Sequence, residues 1–322
     1  VSPADTDADT LSFDIRVPPE CGGWRLDHFL KRRIGRLSRT RIQEIIKDQI
    51  QFRDGRRARP SSSVRAGEII VLCRPAPVEP PVPRRFDVLF QDDSVLAVDK
   101  PAGLPMHTTA KFWRNTLTAL LRERFPDQRM EVAHRIDRET SGVVLVARGP
   151  EVASFLTQAF ARRAVDKTYL ALVKGSPPDE GAIDLPIKLL DTPTHVMMGP
   201  ARDGLPALTR FRVVRRFAEH ALCEASPETG RQHQIRVHFA AVGHPIVGDK
   251  LYGAGEALFM RACEEELSAP ELPSDLLAAF DGLPRHALHA HRLTFPHPRT
   301  AQPTTVESPL PADLAAYMAS LD

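Results

Sequence analysis

Between Val132 and Ala147 the chain reads VAHRIDRETSGVVLVA, which sets one carboxylate, Asp137, between Arg135 and Arg138 at the mouth of an apolar run. Val143 to Ala147 is continuous and rich in β-branched residues, the mark of a strand buried on both faces. Ser141 and Gly142 make the turn that feeds it. Asp137 therefore falls in a polar loop, pinned by a rigid element and able to face a cleft. A cation within a few ångströms favours the charged form of an acid, so the two arginines keep Asp137 ionised. An ionised, positioned carboxylate can act as a nucleophile or as a base. A surface ion pair is the commoner fate of an R-x-D-R string, and spacing alone favours that plainer role.

The elements needed to hold such a site can be read along the chain. With 322 residues, 42% of them hydrophobic, it is long enough for two domains with real cores. No apolar run approaches the roughly 20 residues that cross a bilayer. The start, VSPADTDADT, is acidic and polar where a signal peptide would be basic and then greasy, so a cytoplasmic protein is expected. Cys21, Cys73, Cys223 and Cys263 include no C-x-x-C pair, which points to reduced packing residues rather than disulfides or a thiolate zinc site. His286, His289, His291 and His297 cluster without a thiolate or carboxylate to complete a ligand set, and His233 and His238 miss the four-residue helical spacing. No metal and no cofactor is expected.

Charge is distributed unevenly. Residues 24–59 hold twelve lysines and arginines against four acids, an excess of +8, so with the whole chain at +2 the other residues sum to −6. A basic module on a mildly acidic body is the footprint of a protein that grips phosphates at one end. Leu26, Phe29, Leu30, Ile34 and Leu37 recur at helical spacing beside a stripe of Arg25, Arg32 and Arg36. A second helix starts near Ser38 or Thr40, with Thr40 and Gln43 in capping-box register, and buries Ile42, Ile45, Ile46 and Ile50. Strands over 50–53 and 68–73 flank an Asp54-Gly55 turn. Arg25, Arg32, Arg36, Arg39, Arg41 and Lys47 are the candidate nucleic-acid phosphate contacts, against the plainer alternative of a solvated helix face. Five prolines between residues 74 and 83 read as a stiff extended linker.

The organisation expected is a disordered acidic tail over 1–12, a basic domain over 13–74, a linker over 75–85, a main domain over 86–310 and a C-terminal tail over 311–322. In the main domain strands outnumber helices without alternating regularly, giving an α+β class around a mixed or antiparallel sheet. A helix ending at Arg124 is capped by Asn115 or Thr116, and another starts at Gly149-Pro150 and buries Val152, Phe155, Leu156, Ala159 and Phe160. A strand over 167–173 and a helix over 230–242 follow. The acid-rich stretch 254–284 can form helices and reads as a peripheral lid or partner surface, or as a plain solvated insertion.

HRIDRETSG resembles the signature of the RluA-type pseudouridine synthases, with Ile136 where leucine is usual. Further stretches agree in the family's order: LAVDKPAGLPMH, DKTYLALVKG, TGRQHQIRVHFAAVGHPIVGDKLYG and HALHAHRLTFPHP. The resemblance implies a bent sheet with flanking helices and the isomerisation of uridine to pseudouridine in RNA, with large-subunit ribosomal RNA ahead of transfer RNA. Residues 24–73 also resemble the alpha-L RNA-binding module, on a looser pattern. The resemblance to the synthases implies Asp137 as nucleophile or base, Tyr169 as a flat face for uracil, Arg236 as the partner of Asp137 and Ile235 as a pocket wall. Arg135 would fill the place of a flipped base, with His134, Arg138 and Thr140 beside the substrate. A monomer is expected. A noncatalytic ribosome assembly factor on the same frame, and a glycoside hydrolase using Asp137 and Glu139, are the competing readings; the second lacks an assured carboxylate separation of roughly 5 to 9 Å.

Overall fold

The computed structural model describes residues 10–35, 37–76, 78–109, 111–268 and 271–322. The chain divides into two compact units, residues 1–78 and 79–322, a boundary inside the proline-rich stretch.

In the first unit, helices α1 (Leu26–Arg33) and α2 (Arg39–Gln49) pack on a three-stranded antiparallel sheet. Its strands are β1 (Thr10–Arg16), β2 (Ile50–Phe52) and β3 (Ile69–Pro75), with β3 in the centre. Leu26, Phe29, Leu30, Ile42, Ile46 and Ile50 fill the core, as the helical spacing requires, while Ile34, Leu37 and Ile45 pack at its margin. Three expectations need correction. The tail does not run to residue 12, because TLSFDIR alternates and buries Leu11 and Ile15 against β3; residues 1–9 lie outside the described residues. Arg74 and Pro75 are not linker but pair with Leu11 and Thr10, an edge that proline tolerates at a strand end. Ser38, not Thr40, caps α2, its hydroxyl accepting from the Arg41 amide at 3.2 Å.

The second unit is built on a ten-stranded mixed sheet flanked by helices. Its first half comprises β4 (Asp87–Gln91), β5 (Val95–Lys100), α3 (Leu117–Arg124), β6 (Met130–Val132), β7 (Ser141–Arg148), α4 (Pro150–Ala161) and β8 (Asp166–Lys174). Then come β9 (Glu180–Asp184), a separate hairpin of β10 (Ile187–Leu189) and β11 (Met198–Pro200), and the long pair β12 (Leu208–Arg216) and β13 (His220–Pro227). Helices α5 (Gln234–Ala241), α6 (Glu256–Ser268) and α7 (Ser274–Ala279) precede β14 (Leu288–Pro296), β15 (Pro303–Glu307) and α8 (Ala312–Ala319). The sheet runs β4-β5-β7-β14-β8-β13-β12-β9, with β6 added to β7 and β15 to β14.

Residues 142–147 of β7 are all buried, as an apolar run covered on both faces must be. The β7·β14 junction is the parallel one, only two residues long, at Ser141↔His289 and Gly142↔Ala290. There Gly142 adopts φ +113°, and a Cβ would stand 2.2 Å from the Ala290 carbonyl oxygen, so only glycine lets the two backbones meet. Thr116 caps α3 by accepting from the Ala119 amide. On α4, Leu156 and Ala159 are buried, but Phe155 is 37% exposed, one position off the stripe that faces β7.

Residues 311–322 are not a tail. Helix α8 buries Leu314 and Met318 in the core shared with β8, β13 and α5. Its Asp313 forms a two-pronged pair with buried Arg285, at 2.6 and 2.9 Å. The 254–284 stretch does form helices: α6 and α7 share a small core of Ala262, Leu276 and Phe280. Among the described residues no helix is long and apolar enough to cross a membrane.

Candidate active site

The loop 133–140 joins β6 to β7, and the turn before α5 approaches it from across the sheet. Between them lies an open cavity of about 520 Å³, within the roughly 300–1,000 Å³ usual for small-ligand sites. Asp137, Tyr169, Ile235 and Arg236 line it, as do His134, Arg135, Ile136 and Thr140. One wall of β8, one turn of α5 and the loop 133–140 thus converge on a single space.

Arg236 organises the charges. Its Nη1 donates to Asp137 Oδ2 at 2.9 Å, while Nε and Nη2 donate to Asp249 at 2.7 and 2.9 Å. Asp249 is fully buried, and its Oδ1 also accepts from the amides of Leu251 and Tyr252. A planar guanidinium is suited to bridging two carboxylates in fixed geometry. Burial would push the Asp137 carboxyl up, but the neighbouring His233, Arg236 and His286 and the Arg236 hydrogen bond outweigh it, and the net shift is downward. Burial pushes the imidazoles of His233 and His286 down to about 4. Near neutral pH they are therefore uncharged, and Arg236 is the counter-ion that remains. Asp137 is ionised, aimed and open to the cavity.

Tyr169 stands beside this carboxylate, its phenol pushed up by burial and then by the Asp137 charge. It stays protonated and offers a flat face. Buried Ile136 and Ile235 supply apolar lining. Arg163, Lys167 and Arg231 join exposed Arg135 around the same cavity. Arg163 holds φ +58° just beyond α4, a left-handed turn that few side chains adopt.

Of two residues expected beside substrate, one lines the cavity and the other does not. Arg138 does not line the cavity; it turns toward Glu266 at 2.7 Å and Glu139 at 3.2 Å, because two carboxylates lie on that side. His134 does line it, but its Nε2 accepts from the Leu145 amide at 3.0 Å and its ring packs against Phe160. That nitrogen is committed to holding β7, and burial keeps the ring neutral, its pKa pushed down to about 3. Thr140 lines the cavity while its Oγ1 lies 2.8 Å from His286 Nε2. Among the basic-unit candidates, Arg25 is bidentate on Asp27, Arg41 pairs with Glu44, and Arg32 lies over the Trp24 ring. Arg39 stands 3.8 Å from Asp27, and Arg36 lies outside the described residues.

Several contributors gave little sign of themselves in the chain. Asp249 sits in the GDKLYG stretch, and the only available signal was that a buried arginine needs more than one acid. His233 is held at φ +56° at the start of α5, with Nδ1 2.8 Å from the Tyr252 hydroxyl and Nε2 4.0 Å from Asp137. Lys100 is fully buried and donates to the carbonyls of Pro101, Leu104 and Arg138, fastening the loop 133–140 to the turn after β5. Among the described residues no group of three or more His, Cys, Asp or Glu could hold a metal ion.

Residues 94–241, which carry most of this site, match the family described as RNA pseudouridylate synthase. The whole chain belongs to the pseudouridine synthases of the RluA/RluD type, which are RNA-modifying isomerases. It is 36% identical to "Ribosomal large subunit pseudouridine synthase D" of Xanthomonas campestris pv. campestris, over 99% of this chain and 96% of that one. It is 33% identical to the protein of the same description from Pseudomonas aeruginosa, over 95% and 94% of the two chains. Among solved structures, it is similar to human RNA Pseudouridylate Synthase Domain Containing 1, with 28% identity, a TM-score of 0.56, and coverage of 76% of this chain and 89% of that one.

Proposed function

We propose that the protein isomerises particular uridines of large-subunit ribosomal RNA, with Asp137 as the reactive group. The observation that carries the mechanism is an ionised carboxylate on the wall of a nucleoside-sized cavity, held by an arginine that a second, buried acid braces from behind. The descriptions of the bacterial relatives support the choice of RNA.

A stacked uridine is out of reach, so it is flipped into the cavity at a cost of a few kcal/mol. Arg135, exposed at the rim, takes the vacated place and meets phosphate. Tyr169 lies against the uracil face, and Ile136 and Ile235 close the apolar sides. Asp137 then opens the glycosidic bond, by attack at the anomeric carbon or by taking a sugar proton. The freed base turns and rejoins through a ring carbon; that carbon gives up its proton and the ring nitrogen gains one. Atoms and electrons balance without any acceptor or donor. Arg163, Lys167 and Arg231 suit the flanking phosphates, and the basic unit, through residues such as Arg32 and Lys47, supplies a further grip. On this reading the protein works as a monomer in the cytoplasm, where ribosomal RNA is made accessible.

The test is to incubate the protein with unmodified ribosomal and transfer RNA and map pseudouridine. Product is expected at few positions of the large-subunit RNA and none after Asp137→Asn. Full product from a folded Asp137→Asn protein, or none from the native chain on either RNA, would overturn the proposal.

A further inference from the structure

Helix α6 belongs to the stretch that separates the GDKLYG turn from β14, and one of its side chains reaches the catalytic loop. Glu266 Oε2 lies 2.7 Å from Arg138 and its Oε1 2.8 Å from Lys250. Lys250 in turn lies 2.6 Å from Glu139, and Arg138 lies 3.2 Å from the same Glu139 oxygen. Two acids and two cations thus close a ring, and two of its members directly follow Asp137 in sequence. The Lys250 side chain is only 5% exposed. Without Glu266, it and Arg138 would share a single carboxylate, and a part-satisfied buried network is costly.

The ring is tied inward as well. Glu139 Oε2 lies 3.6 Å from His286 Nδ1. The Arg138 carbonyl accepts from buried Lys100 and from the Gly103 amide, and the Thr140 amide donates to the Asp137 carbonyl. From outside, α6 is held by Lys111 Nζ donating to the Cys263 carbonyl, and by Glu256 accepting from Thr194. The helix is therefore anchored at its start and in its middle, with Glu266 near its end projecting into the loop that must hold Asp137 on Arg236.

We propose that Glu266 is a positioning residue, through which α6 clamps Arg138 and Glu139 and so fixes the aim of Asp137. The clamp has a second effect. Arg138 held by Glu266 is withheld from RNA phosphates, so losing Glu266 frees a cation near the substrate while loosening the reactive group. Aim and affinity then move in opposite directions, which simple loss of structure does not produce.

The proposal rests on the reading of Asp137 given above, and its test has an arm that needs no RNA. Glu266→Gln and Glu266→Asp are compared with the native chain and with Glu265→Gln. Hydrogen exchange is followed at residues 137–141 and at Gly103, and the single-turnover rate and RNA affinity are measured on large-subunit RNA. Glu266→Gln should speed exchange in 137–141 and lower the single-turnover rate about ten- to a hundredfold, the scale of an ångström-sized misplacement, with RNA binding equal or tighter. Glu266→Asp, which keeps the charge on a shorter stem, should fall between, and Glu265→Gln should match the native chain. Should Glu266→Gln not fold, the exchange and rate of Glu266→Asp against Glu265→Gln decide the question. Native exchange and rate in every foldable Glu266 variant, or a slower reaction with unchanged loop exchange, would overturn the clamp. A native chain without activity on any RNA would refute the functional reading, whereas the exchange arm would still decide the clamp.

Discussion

The arginine at the centre of the site makes a quantitative prediction through Asp249. Asp249→Asn removes a charge from behind Arg236 but leaves an oxygen for the amides of Leu251 and Tyr252. Removing one partner of a buried ion pair costs about 3–5 kcal/mol. Because Asp137 remains 2.9 Å from Arg236, the lower end, about 3 kcal/mol, applies. In a unit of this size each kcal/mol moves the melting temperature by about 2–4 °C, so calorimetry at pH 7 should show a fall of about 6–12 °C. The pH dependence has a definite sign. The Arg236 charge and hydrogen bonds, outweighing burial, hold the Asp249 carboxyl below its ordinary 3.8. A lowered folded value means that the stabilisation is complete above the unfolded value and is lost as pH falls toward the folded one. The gap between native and Asp249→Asn proteins should therefore be flat from pH 8 to pH 5 and narrow only in stronger acid. A fall of less than 2 °C, or a gap already closing between pH 8 and 6, would refute the reasoning.

Gly142→Ala should unfold the second unit or leave it insoluble, since its Cβ meets the Ala290 backbone at 2.2 Å; native-like melting would show that β7 and β14 can part cheaply. Lys250→Met should destabilise by several kcal/mol in urea titrations, because it leaves Glu139 and Glu266 sharing Arg138 as their one remaining cation in the ring, and an unchanged midpoint would count against the ring. Removing residues 1–78 should weaken RNA binding and flatten its salt dependence by about one slope unit per lost phosphate contact. An equal slope in the truncated protein would place the grip elsewhere.

Much of the site could be read from the chain because its pieces carry local signals. The apolar run of β7 is unmistakable by composition, and Asp137 is found by its position before that strand. The helix holding Ile235 and Arg236 ends at Ala241, just before the positive-φ Gly243, although it begins at Gln234 and not at 230, since the turn through His233 takes up the first residues. What periodicity could not reveal was long-range. Asp249 and Lys250 are unremarkable charged residues in a turn, and their meaning comes from partners 13 and 111 positions away. Arg138 flanks Asp137 and reads as a substrate contact, yet the acids that claim it come from its neighbour Glu139 and from Glu266 of distant α6. The strand β1 was hidden by the acidic residues before it, and α8 by its isolation at the end of the chain, where a short amphipathic helix resembles a tail until its two buried residues find a core.

That last helix has a consequence for the order in which the molecule is made. Asp313 orients Arg285, and Arg285 Nη1 donates to the Ser141 hydroxyl and reaches the Glu139 carbonyl. Domains form as they emerge during synthesis, beginning at the N-terminus. The first unit can thus fold early, whereas the loop that carries Asp137 acquires this brace only once α8 has been made. Parts of the second unit far apart in the chain must therefore both be present before that loop reaches its final form.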